Sequence, residues 1–224
     1  TPIQLSAERL KRRYGRQIAE DDRAVFDQCT ATIVRQVEDI GRMVDEFSSF
    51  ARMPKPSKEK GDLRNILKDT IFLREMGNSH VHFIQEWGDE PLIGEFDSRM
   101  LGQAFGNLVK NAVESVESLP AEQSRDELKV MIRAKPDLSG ERIIVDIIDN
   151  GKGLPQENRH LILEPYITMR EKGTGLGLPI VKKIIEEHGG TLALLDAPVF
   201  DGNDPPGAMA EIRLPRTTRQ RARP

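Results

Sequence analysis

The sequence predicts an α+β protein, with an N-terminal helical hairpin and a second domain in which helices cover one face of a mixed sheet. Three observations lead to this prediction. Apolar residues follow a heptad pattern through 22–53, a segment rich in proline and lysine interrupts it at 53–62, and helical and strand patterns then interleave without a regular βαβ rhythm. The predicted boundaries are a hairpin at 1–53, a linker at 54–60, a second domain at 61–216 and a basic tail at 217–224.

The first 53 residues are predicted to form two helices joined by a short polar connection. Apolar residues recur at helical spacing from Ile3 to Tyr14, and the polar segment "GRQIAEDDRA" follows. The second helix then carries an apolar seam with steps of three and four residues: Ile33, Val37, Ile40, Val44, Phe47 and Ala51. Because a two-helix hairpin buries such a seam poorly, we expect two copies to pack as a four-helix bundle, which makes a homodimer through residues 1–53. The alternative is a hairpin that docks on the second domain of its own chain.

The second domain is predicted to contain three helices and five strands. "LRNILKDTIFL" has the spacing of a helix and "HVHFIQEW" that of a strand. A long helix in "DSRMLGQAFGNLVKNAVESV" has Asp97 as its N-cap. "ELKVMIRAKP" and "RIIVDIID" flank the turn "DLSG" and predict a β-hairpin, "LPIVKKIIEEHGG" predicts a helix that ends at glycine, and "TLALLDA" and "AMAEIRL" predict two closing strands.

Composition narrows the classes of function. With a net charge of −3 and 31% charged residues, the chain has no overall basic excess that would suggest nucleic-acid binding. Basic residues concentrate in the tail "RLPRTTRQRARP", which is typical of a solvated chain end. The single cysteine, Cys29, cannot form an internal disulfide and favours a reducing compartment. No segment approaches the roughly 18 consecutive apolar residues of a membrane-spanning helix.

Two short stretches of the second domain carry polar residues that suit a nucleotide. In "NLVKNAVES", Asn107 and Asn111 lie one helical turn apart, and an amide oxygen is a suitable neutral ligand for Mg²⁺. In "IIDNGKGLP", Asp149 ends an apolar strand, where its carboxylate can accept a hydrogen bond from an exocyclic amine such as that of adenine. Gly151 and Gly153 would let the backbone approach a flat ligand closely. The alternatives are an asparagine with a structural role and an ordinary turn after a strand.

A third stretch, "GTGLGLPIVKK", places three glycines before a helix. The N-terminus of a helix offers free N–H groups to phosphates. The spacing G-x-G-x-G differs from the dinucleotide-binding fingerprint, and no G-K-[ST] follows as in a P-loop. Between the second and third stretches, the polar segment "QENRHLILEPYITMREK" could fold over a nucleotide as a lid.

In their order and spacing, these stretches resemble the ATP-binding domain of sensor histidine kinases, within the wider group that includes gyrase B, Hsp90 and MutL. "NLVKNAVES" is similar to the N box of that family, "DNGKGLP" to the G1 box, "EPYITMREKGTGLGL" to the F and G2 boxes, and "PPGAMAEIRLP" to the closing strand. The short lid and "DEFSSFARMPKP" resemble the NtrY and NtrB nitrogen-regulation branch. The resemblance covers residues 1–216 and implies a Bergerat-type α/β sandwich after the hairpin.

The resemblance also implies ATP and Mg²⁺ as ligands and assigns roles to residues. It makes Asn111 the Mg²⁺ ligand, Asp149 the acceptor for adenine, and Arg170 and Lys172 cations of the lid. The other nucleotide-binding residues that it implies are Asn107, Gly151, Gly153, Tyr166, Gly173, Thr174, Gly175, Leu176, Gly177 and Leu178. Glu114 stands where many family members carry a basic residue, and Lys110 is only a weak substitute.

The family's phosphoacceptor motif resembles H-E-x-[KR]-N-P-L-T-P-I, and the chain begins with "TPI". We therefore expect the acceptor histidine seven residues before Thr1, about two helical turns upstream. On this expectation the 224 residues cannot phosphorylate themselves. They would be the cytoplasmic portion of a protein anchored in the bacterial inner membrane.

The resemblance implies a partner and leaves two rival functions. The phosphoryl group is expected to pass from histidine to an aspartate of a response regulator similar to NtrX or NtrC. One rival is an ATPase of the gyrase or MutL type, but those enzymes carry a general-base glutamate four residues before the Mg²⁺ ligand, where this chain has Asn107. The other rival is a nucleotide-sensing dimer module without catalysis.

Overall fold

The computed structural model describes residues 2–119, 127–157, 159–165, 167, 175–199 and 206–217. The chain divides into two compact units, Thr1–Met53 and Pro54–Pro224. Among the described residues, no helix combines the length and the apolar character needed to cross a membrane.

The first unit is a hairpin of two helices, α1 (Pro2–Tyr14) and α2 (Glu20–Ala51). The connection spans 15–19, which is shorter than predicted, because an acidic run of three residues already lies in the first turn of α2. Acidic side chains there are favourable to the helix dipole. The predicted seam remains on the surface of the single chain, with Ile33, Ile40, Val44 and Phe47 between 44% and 58% exposed.

The second unit contains a mixed sheet of five strands in the order β2-β4-β5-β7-β6. These strands are β2 (Val81–Trp87), β4 (Leu128–Pro136), β5 (Arg142–Asp149), β6 (Thr191–Asp196) and β7 (Ala208–Pro215). Strand β2 runs parallel to β4, whereas the pairs β4–β5, β5–β7 and β6–β7 are antiparallel. The prediction of a mixed sheet is therefore confirmed.

Three helices, α3 (Leu63–Gly77), α4 (Ser98–Glu117) and α5 (Gly177–Glu187), form a layer in which α4 contacts both others and also strands β4 and β5. Ten residues of α4 are buried, including Leu101 and Phe105, which are fully enclosed. The predicted N-cap is confirmed, because the Asp97 carboxylate accepts a hydrogen bond of 3.0 Å from the N–H of Met100. A short 3-10 helix, Arg159–Leu163, follows β5.

A second, two-stranded sheet was not predicted. Strand β1 (Glu59–Asp62) pairs antiparallel with β3 (Ile93–Phe96), so the predicted linker 54–60 overlaps the start of β1. The sequence "EKGD" has no apolar alternation from which a strand could be predicted. It forms a strand by pairing with β3, which lies more than thirty residues away in the sequence, and the Asp62 carboxylate stabilises this arrangement by accepting from the N–H groups of both Arg64 and Leu92.

A buried histidine joins the N-terminus of α4 to the end of α5. His188 Nε2 accepts a hydrogen bond of 3.0 Å from the N–H of Asp97, which requires that nitrogen to be unprotonated, and Nδ1 lies 2.7 Å from the carbonyl oxygen of Ile184. The Asp97 carboxylate also accepts from the N–H of Ser57. The imidazole is therefore neutral in the folded protein. The hydrogen bond from Ser57 to Asp97 also attaches the chain segment before β1 to the same group of residues.

The state of His188 predicts a loss of stability in mild acid. Burial lowers the pKa of His188 below its ordinary value of 6.5, and nearby Lys58 acts in the same direction, against the hydrogen bond to Ile184 and the charges of Asp97 and Glu187. The unfolded chain therefore takes up a proton below about pH 6.5 that the folded chain resists, so the free energy of unfolding decreases as the pH falls from there. Urea unfolding at pH 7.5 and 5.5 should show a larger decrease for the wild type than for His188→Gln. Equal decreases in the two proteins would contradict the assignment.

Candidate functional site

Asp149 lies at the end of β5 and is 4% exposed. One of its carboxylate oxygens, Oδ1, accepts three hydrogen bonds: from Ser115 Oγ at 3.0 Å, from the Gly151 N–H at 2.9 Å and from the Ala208 N–H at 3.3 Å. The other oxygen, Oδ2, accepts none from the described residues. One half of the carboxylate is therefore fixed by the protein, and the other half is left for a donor on a ligand.

The surroundings of Asp149 change its acidity. Its pKa is raised from 3.8 to about 6, because burial outweighs the opposing effect of the hydrogen bonds from Gly151, Ser115 and Ala208. The carboxylate is consequently ionised at neutral pH but protonated in mild acid. A strongly shifted pKa in a buried residue is typical of a functional site.

Three glycines near this carboxylate allow neighbouring parts of the chain to pack closely. A Cβ on Gly151 would collide with Ser115 Oγ and lie 2.6 Å from the Ser115 carbonyl carbon, and a Cβ on Gly207 would collide with the Asp149 carbonyl oxygen. Gly153 has a φ of +75°, and a Cβ there would lie 2.6 Å from the carbonyl oxygen of Pro206. Backbone segments therefore pass next to Asp149 at distances that no other residue type allows.

Helix α4 carries a row of polar side chains that leads to Asp149 on β5. Asn107, Asn111 and Ser115 follow one another in steps of four residues, which places them on one side of the helix about 6 Å apart along its axis. Both asparagines are half-buried. Since Ser115 binds Asp149, the two asparagines continue from the carboxylate along α4. Lys110 Nζ lies 3.8 Å from Glu114 Oε1.

The start of α5 carries the glycine-rich stretch that was predicted to bind phosphate. Gly175 has a φ of +69°, Leu176 is the buried N-cap residue, and Gly177 and Leu178 form the first turn. The N–H groups of a first turn have no partner within the helix and suit a phosphate. Five predicted site residues lie outside the described part of the chain: Tyr166, Arg170, Lys172, Gly173 and Thr174.

Within the predicted lid segment, the 3-10 helix is attached to the sheet. The Arg159 guanidinium donates to both carboxylate oxygens of Asp196 at the end of β6, at 3.0 and 2.7 Å.

Among the described residues, no group of three His, Cys, Asp or Glu side chains is arranged to hold a metal ion. A Mg²⁺ ion held by a nucleotide's phosphates needs only one or two protein oxygens, for which the amide of Asn111 is suitable.

Sequence reasoning missed three residues of the site: Ser115, Gly207 and Asn150. Asn150 is fully buried, and its side chain accepts from the Lys129 N–H at 2.8 Å and donates to the Glu127 carbonyl at 2.9 Å, which fixes the turn after β5. Ser115 stands inside the quoted stretch "NLVKNAVES", four residues after Asn111, and that spacing was the available signal. For Gly207 and Asn150 no local pattern indicates the role.

Comparison with known proteins identifies relatives of this arrangement. Residues 96–218 match the family model described as "Histidine kinase-, DNA gyrase B-, and HSP90-like ATPase". The chain is 55% identical over 201 residues to nitrogen regulation protein NtrY of Azorhizobium caulinodans, an alignment that covers 88% of this chain and 25% of NtrY. The chain thus spans between a quarter and a third of the length of the first curated relatives that it matches.

Solved structures show the same fold. The mycobacterial sensor histidine kinase MprB superposes with a TM-score of 0.59 at 27% identity, over 72% of this chain and 99% of MprB. The structure of histidine kinase ThkA in complex with the response regulator protein TrrA superposes with a TM-score of 0.67 at 21% identity, over 97% of this chain and 58% of ThkA. The second likeness bears on the fold alone.

Proposed function

We propose a function from one premise: this chain belongs to the histidine kinase-, DNA gyrase B- and HSP90-like ATPase family and, within it, to the NtrY and NtrB branch of sensor histidine kinases. The proposed function is to bind Mg²⁺–ATP and to transfer its γ-phosphoryl group to a histidine. The observation that carries the proposal is Asp149, a buried carboxylate with one oxygen fixed by three donors and the other without a hydrogen bond from any described residue. The exocyclic amine of adenine is the donor that suits Oδ2.

The chain's own residues are proposed to bind and orient the nucleotide. Asp149 would accept from the adenine amine, and the backbone at Gly151 and Gly153 would lie against the flat base. Asn111 would supply one oxygen to Mg²⁺, and the first turn of α5 would receive phosphate oxygens. When bound, Mg²⁺ neutralises charge that develops on the phosphates during transfer. Arg170 and Lys172 of the lid, which are not among the described residues, are proposed to neutralise charge on the phosphates.

Transfer to a protein nucleophile is favoured over hydrolysis of ATP by a feature of α4. Asn107, one turn before Asn111, is an amide and cannot accept a proton from water at neutral pH. A neutral imidazole needs no such base, because its unprotonated nitrogen is already nucleophilic near its pKa of about 6.5. We further propose that the phosphoryl group then passes to an aspartate of an NtrX- or NtrC-like response regulator.

The kinase proposal predicts a Mg²⁺-dependent activity that requires Asn111. The wild-type chain, given radiolabelled Mg²⁺–ATP and a separate helical hairpin carrying H-E-x-[KR]-N-P-L-T-P-I, should place acid-labile label on that hairpin's histidine. Asn111→Ala should abolish the label, and it should also remove the gain in ATP affinity that Mg²⁺ gives the wild type. Gln103→Ala, an exposed position one turn before Asn107, is the control that should retain both. Label of equal amount with Asn111→Ala would refute the role of this residue.

The exposed seam of α2 supports a homodimer through residues 1–53. Val37→Glu combined with Val44→Glu should convert a dimer to monomers, because charges would replace apolar contacts in the seam. Sedimentation should report half the mass, while ATP binding persists because the second unit has its own core. A matched control is Ala24→Glu combined with Ala31→Glu, since both alanines are exposed and lie off the seam. An unchanged mass for the seam variant would argue against this interface.

A further inference from the structure

Three donors converge on one oxygen of Asp149, and the donor from a side chain is Ser115 Oγ. A carboxylate rotates readily about its last torsion, which is broad and two-fold. The two backbone donors, Gly151 and Ala208, lie on the same oxygen, and no described residue donates to the opposite one. The serine hydroxyl therefore adds a third fixed point, on the helix that carries Asn111, and defines which oxygen faces the ligand.

Ser115 is itself held in place by close packing. It is 6% exposed and lies so close to Gly151 that no Cβ fits there without meeting its hydroxyl and its carbonyl group. Its carbonyl oxygen accepts a hydrogen bond of 3.1 Å from Ser118 Oγ. This packing keeps the hydroxyl within reach of Asp149.

The hydroxyl also affects what Asp149 can recognise. An ionised carboxylate only accepts hydrogen bonds, so it matches a 6-amino purine and repels a 6-oxo purine, whereas a protonated one can donate to the 6-oxo group. The pKa of Asp149 is about 6, a balance between burial, which raises it, and the hydrogen bonds from Ser115, Gly151 and Ala208, which lower it. No charged side chain among the described residues contributes to this balance.

We propose that Ser115 is a positioning residue that determines the specificity of the base pocket, by directing Asp149 Oδ2 at the base and keeping the carboxylate in its acceptor form. This inference rests on the proposed function, because it assumes that Asp149 contacts a purine. The preference for a 6-amino over a 6-oxo purine is then a property of the pair Ser115–Asp149.

The test compares ATP with ITP, whose base carries an oxygen at position 6, on the wild-type chain and on Ser115→Ala between pH 5 and 8 with Mg²⁺. Calorimetric titration should give a wild-type preference for ATP that declines as the pH falls below about 6. In Ser115→Ala the decline should begin about one pH unit higher, and the preference at pH 7 should be about tenfold smaller, because one lost hydrogen bond to a charge is of that size. The triphosphate titrates equally in both ligands and cancels in the ratio.

Control variants separate this role from a structural one. Ser98→Ala removes an exposed hydroxyl from the first turn of the same helix and should leave the ratio unchanged. A general loosening of the site would weaken ATP and ITP by the same factor, and Ser115→Thr, which retains a hydroxyl, should restore the wild-type profile. ATP binding with an unchanged ratio in Ser115→Ala would overturn the inference alone. Absence of ATP binding by the wild type would overturn it together with the proposed function.

Discussion

Asp149→Asn is expected to weaken ATP binding by about 10- to 150-fold, or ~1.5–3 kcal/mol, the scale of a hydrogen bond to a charged group. The three donors on Oδ1 require an oxygen at that position, so the amide nitrogen of asparagine must take the place of Oδ2. Its N–H groups would then face the amine of adenine, donor against donor. The same geometry predicts that the variant gains affinity for ITP, whose 6-oxo group can accept.

A loss of ATP binding in this variant cannot be attributed to unfolding. Because burial raises the pKa of Asp149 to about 6, the ionised carboxylate costs stability above that pH, roughly 3 kcal/mol at most, and the cost disappears as the pH falls from 6 towards 3.8. Asparagine avoids that cost, so the variant should be at least as stable as the wild type at pH 8. Asp69→Asn makes the same chemical change at an exposed position of α3 and should bind ATP normally. Equal ATP affinity in wild type and Asp149→Asn would disprove the contact.

Gly151→Ala is expected to disrupt the site by forcing α4 away from the end of β5. The new Cβ would lie 2.6 Å from the carbonyl carbon of Ser115 and 2.7 Å from its carbonyl oxygen, and backbone atoms of a buried helix cannot yield cheaply. Overpacking of this kind costs about 1–3 kcal/mol of stability. The shift would also lengthen the Ser115–Asp149 hydrogen bond, so ATP affinity should fall by at least tenfold. Urea unfolding and calorimetric titration measure the two effects.

A second glycine of the same domain provides the control. A Cβ on Gly102, within α4, would meet no heavy atom within 4 Å. Gly102→Ala should therefore raise the free energy of unfolding by up to about 1 kcal/mol, since alanine has the higher helix propensity, and leave ATP binding unchanged. If Gly151→Ala behaved like Gly102→Ala, the close approach of α4 to Asp149 would not be a requirement of the site.

In the second unit, the helices and strands with a strong periodic pattern of apolar residues were predictable from the sequence. Helix α4 has an uninterrupted apolar stripe and an N-cap at Asp97, and strand β5 is rich in isoleucine and valine up to Asp149, with Asp146 as the only interruption, so local residues were sufficient. Strands β1 and β3 were missed because each has only four residues and depends on a partner that is distant in sequence. The predicted start of α2 was too late in the sequence, because the acidic first turn of this helix resembles a polar connection.

The candidate site also combines features that local sequence predicts with contacts that it does not. The stretches that contain Asn111, Asp149 and the glycines before α5 were identified from their spacing, and their roles stay predictions. Ser115 and Ala208 bind Asp149 across separations of 34 and 59 residues. Such contacts follow from the packing of α4 and β7 against β5, which no local pattern encodes. The pKa of Asp149 depends on the same packing and was equally out of reach of the sequence.

The most direct test of the nucleotide site is a side-by-side titration of the wild-type chain with ATP and GTP in the presence of Mg²⁺ at pH 7.5. An ionised Asp149 with Oδ2 free for a donor predicts saturable binding of ATP and affinity for GTP at least about tenfold weaker, because guanine presents an oxygen where adenine presents an amine. Equal affinity for the two nucleotides, or no binding of ATP, would contradict the assignment of Asp149 as the residue that recognises the base.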